Sequence, residues 1–199
     1  MEIILSDVYG FCGGVKRAVD LAFTTARENS NVKMMGELVH NADVNRELKD
    51  LGVNVIEEDD LPNAATVITR SHGTTKELKE ALESKENVVI DTTCPFVSRI
   101  YGIVRENNEK GIPVVIVGDK DHPEIKGIAS YGSRVFIVKD EDEVDMLPLH
   151  EENKIALVSQ TTNPKKIVDN VEERLKGVFT GEILRYNTIC KATNDRQDA

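Results

Sequence analysis

The residues of this chain best suited to chemistry are its three cysteines and a set of turn histidines. Cys12, Cys94 and Cys190 each follow an apolar, β-branched run and precede a helical stretch, in DVYGFCGGVKRAV, DTTCPFVSRIY and YNTICKATNDRQ. A cysteine at such a junction lies near a helix N-terminus, where unpaired N–H groups and the dipole favour the thiolate, the form that binds metal. One cysteine there is more often a small core residue. Three in matching contexts favour a shared role. An odd count of distant cysteines cannot close a disulfide framework, which leaves core thiols, reactive thiols or metal ligands. Structural zinc usually takes four ligands including a local C-x₂₋₄-C pair, absent here. An iron–sulfur cluster is ordinarily held by four cysteines, so three would leave one iron of a [4Fe–4S] cube open to substrate. The count therefore favours chemistry at a cluster over simple electron transfer.

His40 (ELVHNADVN), His72 (TRSHGTTKE) and His122 (GDKDHPEIKG) all fall in turns after apolar runs, whereas His150 (LPLHEENK) reads as a surface-loop residue. A single turn histidine is usually structural. Three in one class of position, in an acidic chain, point to donors converging on an anion such as phosphate or diphosphate. Ser71, Gly73 and Thr74 surround His72 with small and hydroxyl groups that permit close backbone approach. Glu124, just past His122, is either a first-turn helix stabiliser or a proton relay whose pKa burial raises. In VSQTTNPKK, Gln160, Thr161 and Thr162 end another apolar run, and a hydroxyl there can orient a water or a substrate oxygen. Thr162 or Asn163 is also the expected N-cap ahead of Pro164.

Positioning these groups requires alternating strands and helices. Strands are expected at EIILSDV, VKMMG, TVITR, VVID, PVVIVG, VFIV, IALVS and EILRY, and helices over 14–29, 43–51, 76–84, 96–110 and 164–176. Continuous apolar strands alternating with helices imply an α/β fold with parallel sheets covered on both faces. Ligands of such sheets bind beyond the strand carboxyl ends, where the cysteines, histidines and Thr161 fall. The cysteine segments form a weak repeat, with Arg17, Arg99 and Arg196 at similar distances after their cysteines. The expected modules are 13–94 and 95–187, with an N-terminal strand in 1–12 and the start of a third module in 188–199.

Composition narrows the functional classes. With 25 Lys and Arg against 35 Asp and Glu, net charge −10, phosphate neutralisation along nucleic acid is not the expected role, and no nucleic-acid partner is read. No apolar run is long enough to span a bilayer, and the N-terminus has no basic segment followed by a cleavage site. The expectation is a soluble, cytoplasmic protein without a membrane partner.

Taken together, GFCGGVKRAV, ELVHN, SHG, DTTCP, HPEIKG, SQTT and TICKATNDRQ run in order along the chain. In these motifs it resembles the 4-hydroxy-3-methylbut-2-enyl diphosphate reductases, the last enzymes of the non-mevalonate isoprenoid pathway. The resemblance implies three small α/β modules in pseudo-threefold arrangement around a [4Fe–4S] cluster held by Cys12, Cys94 and Cys190. It implies that His40, His72 and His122 line the substrate pocket, with His40 and His72 towards the diphosphate. Glu124 would deliver protons, and Thr161 would position the substrate hydroxyl or a bound water. The implied reaction removes an allylic hydroxyl as water and yields isopentenyl or dimethylallyl diphosphate, with electrons from ferredoxin or flavodoxin. Family members continue for roughly another module, with serine and asparagine groups for the diphosphate, whereas this sequence ends at Ala199, so the third module is expected to be incomplete. Two other readings are a non-catalytic iron–sulfur binding or sensing protein, and a small-molecule-binding α/β protein whose cysteines only pack the core.

Overall fold

The computed structural model describes residues 9–192 and Asp195. The expected strand at 2–8 and Arg196 lie outside the described residues. The chain divides into two compact units, Phe11–Ser98 and one built on the chain from Arg99.

In the first unit, α1 (Gly13–Glu28) is followed by β1 (Val32–Met35), α2 (Ala42–Asp50), β2 (Asn54–Ile56), β3 (Thr66–Ile68), α3 (Lys76–Ser84) and β4 (Val88–Ile90). All four strands are parallel, in the order β2-β1-β3-β4. Side chains alternate across the sheet. Met34 and Ile68 join Ala18, Ala22 and Ala26 of α1 in one cluster, while Met35 and Val67 join Leu78 and Leu82 of α3 in another. The alanines recur every fourth residue, so α1 presents a narrow stripe of small side chains to β1.

The boundary between the units falls inside α4 (Pro95–Glu109). The second unit then runs through β5 (Val114–Val117), α5 (Pro123–Ala129), β6 (Val135–Val138), a 3₁₀ turn (Glu141–Met146), β7 (Lys154–Ser159), α6 (Lys165–Val178) and β8 (Glu182–Arg185). Its parallel sheet has the order β6-β5-β7-β8. Every residue of β5 is buried, as its unbroken apolar run implies. Val115, Val117, Ile155 and Leu157 pack with Val168, Val171 and Leu175 of α6.

The α/β class and parallel sheets stand as expected, and the two sheets share one order: second, first, third, fourth strand. Three elements lie outside the strand and helix spans expected from the sequence. β2 is a mostly exposed three-residue edge strand, α5 is seven residues long with a glycine inside it, and the 3₁₀ turn is a run of acidic residues around buried Val144. The expected cap of α6 also differs. Pro164 occupies that position and has no side-chain oxygen to cap with, while the Asn163 side-chain amide donates to Val117 O (2.8 Å) at the end of β5.

Candidate functional site

Both sheets reverse their strand order between the first and third strands; His40, His72, His122, Glu124 and Thr161 follow those strands, while Cys94 and Cys190 follow the fourth strands. In the Phe11–Ser98 unit, His40 lies in the loop after β1, His72 in the loop after β3 and Cys94 in the loop after β4. The His40 and His72 rings lie parallel, 6.3 Å between centroids. The His40 side chain is 90% exposed, with Nδ1 3.9 Å from Glu37, so it is open to an anion arriving from solvent.

The turn that carries His40 is braced from below. Gly36 has φ +61°, and a Cβ there would meet the Arg70 guanidinium at 2.7 Å. Arg70 Nε donates to Met35 O (3.0 Å), and its Nη1 lies 3.5 Å from Glu58. Only glycine admits this close approach.

Cys12 is the N-cap of α1. Its carbonyl accepts from Lys16 N–H (2.8 Å), and its Sγ accepts from Val15 N–H (3.5 Å). Cys94 stands in the same relation to α4, its carbonyl accepting from Ser98 N–H (3.0 Å). The Cys94 sulfur packs against the first turn of α1, where a Cβ on Gly14 would meet it at 2.5 Å. Two thiols of this unit therefore border one helix N-terminus. Arg17 of the same helix donates to Thr93 O (3.3 Å), beside Cys94.

In the second unit, His122 and Glu124 follow β5, Thr161 follows β7, and Cys190 follows β8 and precedes helical Lys191 and Ala192. His122 caps α5, its Nδ1 accepting from Glu124 N–H (3.1 Å), which puts the proton of the neutral ring on Nε2. Glu124 is 3% exposed. Burial pushes its carboxyl above the usual range, against the opposing pull of the two Thr161 donors. Thr161 holds both oxygens: its N–H donates to Oε1 (2.7 Å) and its Oγ1 to Oε2 (2.8 Å). The Thr161 carbonyl in turn accepts from Cys190 N–H (2.8 Å). One residue thus joins the buried acid to the cysteine loop.

Each unit therefore assembles its own part of the expected set: Cys12, His40, His72 and Cys94 in one, His122, Glu124, Thr161 and Cys190 in the other. His150 is an exposed turn residue, as expected. Among the described residues, no three His, Cys, Asp or Glu side chains gather into a ready-made metal-binding group. Sequence reasoning missed Arg70, whose only signal is its place beside the Ser71–His72 turn. It also missed the bond from Cys190 to Thr161, which spacing cannot reveal.

The fold and this edge geometry define a parallel α/β protein with thiols, imidazoles and one buried carboxylic acid at its strand carboxyl ends. The LytB protein family model matches residues 3–199, and the chain belongs to that family. It is 41% identical over 205 residues to the 4-hydroxy-3-methylbut-2-enyl diphosphate reductase of Caldanaerobacter subterraneus subsp. tengcongensis, covering 100% of this chain and 70% of that protein. Two solved structures share the fold. One is the E-1-hydroxy-2-methyl-but-2-enyl-4-diphosphate reductase from Plasmodium falciparum, with TM-score 0.90 and 27% identity over 97% of this chain and 62% of that one. The other is an (E)-4-hydroxy-3-methyl-but-2-enyl diphosphate reductase, described as the terminal enzyme of the non-mevalonate pathway, with TM-score 0.85 and 35% identity over 98% of this chain and 70% of that one. These relatives bear the name of an oxidoreductase of isoprenoid synthesis. No helix among the described residues is long and apolar enough to cross a membrane.

Proposed function

We propose that this chain serves the reductive dehydroxylation of 4-hydroxy-3-methylbut-2-enyl diphosphate to isopentenyl and dimethylallyl diphosphate, with Cys12, Cys94 and Cys190 as ligands of a [4Fe–4S] cluster. The observation that carries this reading is the Glu124–Thr161–Cys190 connection, which ties a buried carboxylic acid to a cysteine loop. The donor set suits the cofactor. All three donors are cysteines at starts of helical segments, and Gly14 leaves room for the Cys94 sulfur where any Cβ would collide with it. When bound, the cluster supplies electrons one at a time and an iron position open to substrate.

The side chains provide the rest. Exposed His40, beside His72, offers imidazole donors to the diphosphate. Protonated Glu124 holds its proton on Oε2 against Thr161 Oγ1, and the threonine hydroxyl then passes its own proton to the departing substrate oxygen. With Glu124 ionised, Thr161 Oγ1 donates to it and keeps its lone pairs for the substrate hydroxyl or a bound water. Residues 13–94 and 95–187 are read as two modules of the enzyme, with 1–12 and 188–199 belonging to a third. Ferredoxin or flavodoxin is the proposed electron donor, and the cytoplasm the proposed location.

The test is turnover of the allylic diphosphate by the anaerobically reconstituted chain with reduced viologen. Formation of both products, lost in Glu124→Gln, supports the reading. A chain that binds the cluster but neither binds nor reduces the diphosphate has an iron–sulfur binding role instead.

A further inference from the structure

The loops that lead into Cys94 and Cys190 are built alike in a way their spacing does not disclose. Each reads as an acidic or amide residue, a threonine, one variable residue and the cysteine: Asp91–Cys94 and Asn187–Cys190. Thr92 is fully buried. Its Oγ1 donates to Thr69 O (2.6 Å), and its N–H donates to Thr69 Oγ1 (3.1 Å). Thr188 is buried too, and its Oγ1 donates to Ser159 O (2.9 Å) while accepting from Ser159 N–H (2.8 Å). Thr69 follows the last residue of β3, and Ser159 is the last residue of β7.

Two residues further on, the cysteine amides make matching bonds. Cys94 N–H donates to Ser71 O (2.8 Å), and Cys190 N–H donates to Thr161 O (2.8 Å). In each unit a threonine hydroxyl and a cysteine amide thus grip two carbonyls, two residues apart, on the loop leaving the third strand. The threonine takes over where the strand ladder has ended. Cys12 has no such threonine: Gly10, with φ +80°, stands two residues before it.

We infer that Thr92 and Thr188 are positioning residues that latch the Cys94 and Cys190 loops to the third strand of their own units and so hold each thiol in place. The inference rests on the proposed function only for what the thiols bind. The latch is a property of the chain and is testable without metal. A valine of similar shape would leave the Thr69 carbonyl, or both main-chain groups of Ser159, buried without a partner, which is the costly way to lose a hydrogen bond. Serine would keep the bond.

The experiment compares Thr92→Val, Thr188→Val and the two serine variants with the wild-type chain. In the metal-free protein, iodoacetamide alkylation is followed at each cysteine by mass spectrometry. Thr188→Val is expected to speed alkylation of Cys190 by about tenfold, Thr92→Val to do the same at Cys94, and neither to alter Cys12. The serine variants are expected to restore wild-type rates. After anaerobic reconstitution, the valine variants should lose their visible cluster absorption faster than the serine variants.

Wild-type alkylation rates in both valine variants would overturn the latch. Should the valine variants fail to fold, amide exchange in the wild-type chain decides: the Cys94 and Cys190 amides are expected to exchange as slowly as β3 and β7, and exchange at open-loop rates contradicts the inference. Variants that show the alkylation pattern, beside a wild-type chain that takes up no iron, support the latch and remove the cluster reading instead.

Discussion

Glu124 is pulled two ways, and the balance sets a measurable pH dependence. Burial favours the protonated carboxyl, while the two donors of Thr161 favour the carboxylate, and burial prevails. A raised folded-state pKa means that the folded protein keeps a proton the unfolded chain has already released. The stabilisation is therefore complete below about pH 4.3 and falls as pH rises through the higher folded value. Glu124→Gln removes this titration, so its stability relative to wild type should improve as pH rises above about 4.3 and level off once the folded-state carboxyl has ionised. Denaturant unfolding of both proteins across that range reads the effect, and parallel stability curves would contradict it. Thr161→Val removes one of the two donors and should cost about 1–3 kcal/mol while raising the Glu124 pKa further. Thr161→Ser should retain most of the stability, and equal losses in the two variants would show that the hydroxyl does not matter. The candidate roles of Glu124 and Thr161 were legible from their turn contexts, but their pairing was not, because 37 positions separate them and only the parallel β5–β7 contact brings them together.

Among the elements, helix starts carry most of the site. Cys12, Asn41, Thr75 and His122 each cap a helix through the side chain, so two of the candidate site residues, Cys12 and His122, also begin helices. Gly14→Ala tests the closest of these contacts. Its new Cβ would meet the Cys94 sulfur at 2.5 Å, and alanine favours a helix interior over glycine, so the helix should gain while the sulfur must move. The expected result is unchanged or higher helical content with reduced cluster loading; full loading would show that the Cys94 sulfur position is not critical. A contrasting element is β7, whose Leu157 is fully buried against the α6 cluster. Leu157→Ala should cost about 2–5 kcal/mol in denaturant unfolding, and a loss well below that range would mean the core collapses around the gap. The long elements could be read from the sequence because burial on both faces or along one stripe writes a strong period. β2 and α5 could not, since an exposed edge strand and a seven-residue helix interrupted by Gly127 carry too few core positions to show one.

At the scale of the whole molecule, two units repeat one topology, each with first-to-third strand reversal and each with a cysteine after its fourth strand. The cysteine repeat in the sequence suggested modules at 13–94 and 95–187, and it could not show the shared strand order, which depends on β2. The chain spans 62–70% of the structures it resembles, so the proposed turnover concerns this sequence as it stands and is to be measured on it. The most direct test of the cluster reading is anaerobic reconstitution of the full chain with iron and sulfide, followed by metal analysis and EPR. About four irons and four sulfides per chain are expected, with incorporation lost when any one of Cys12, Cys94 or Cys190 is changed to serine. A folded chain that binds no cluster, or one whose cluster survives all three changes together, would contradict it.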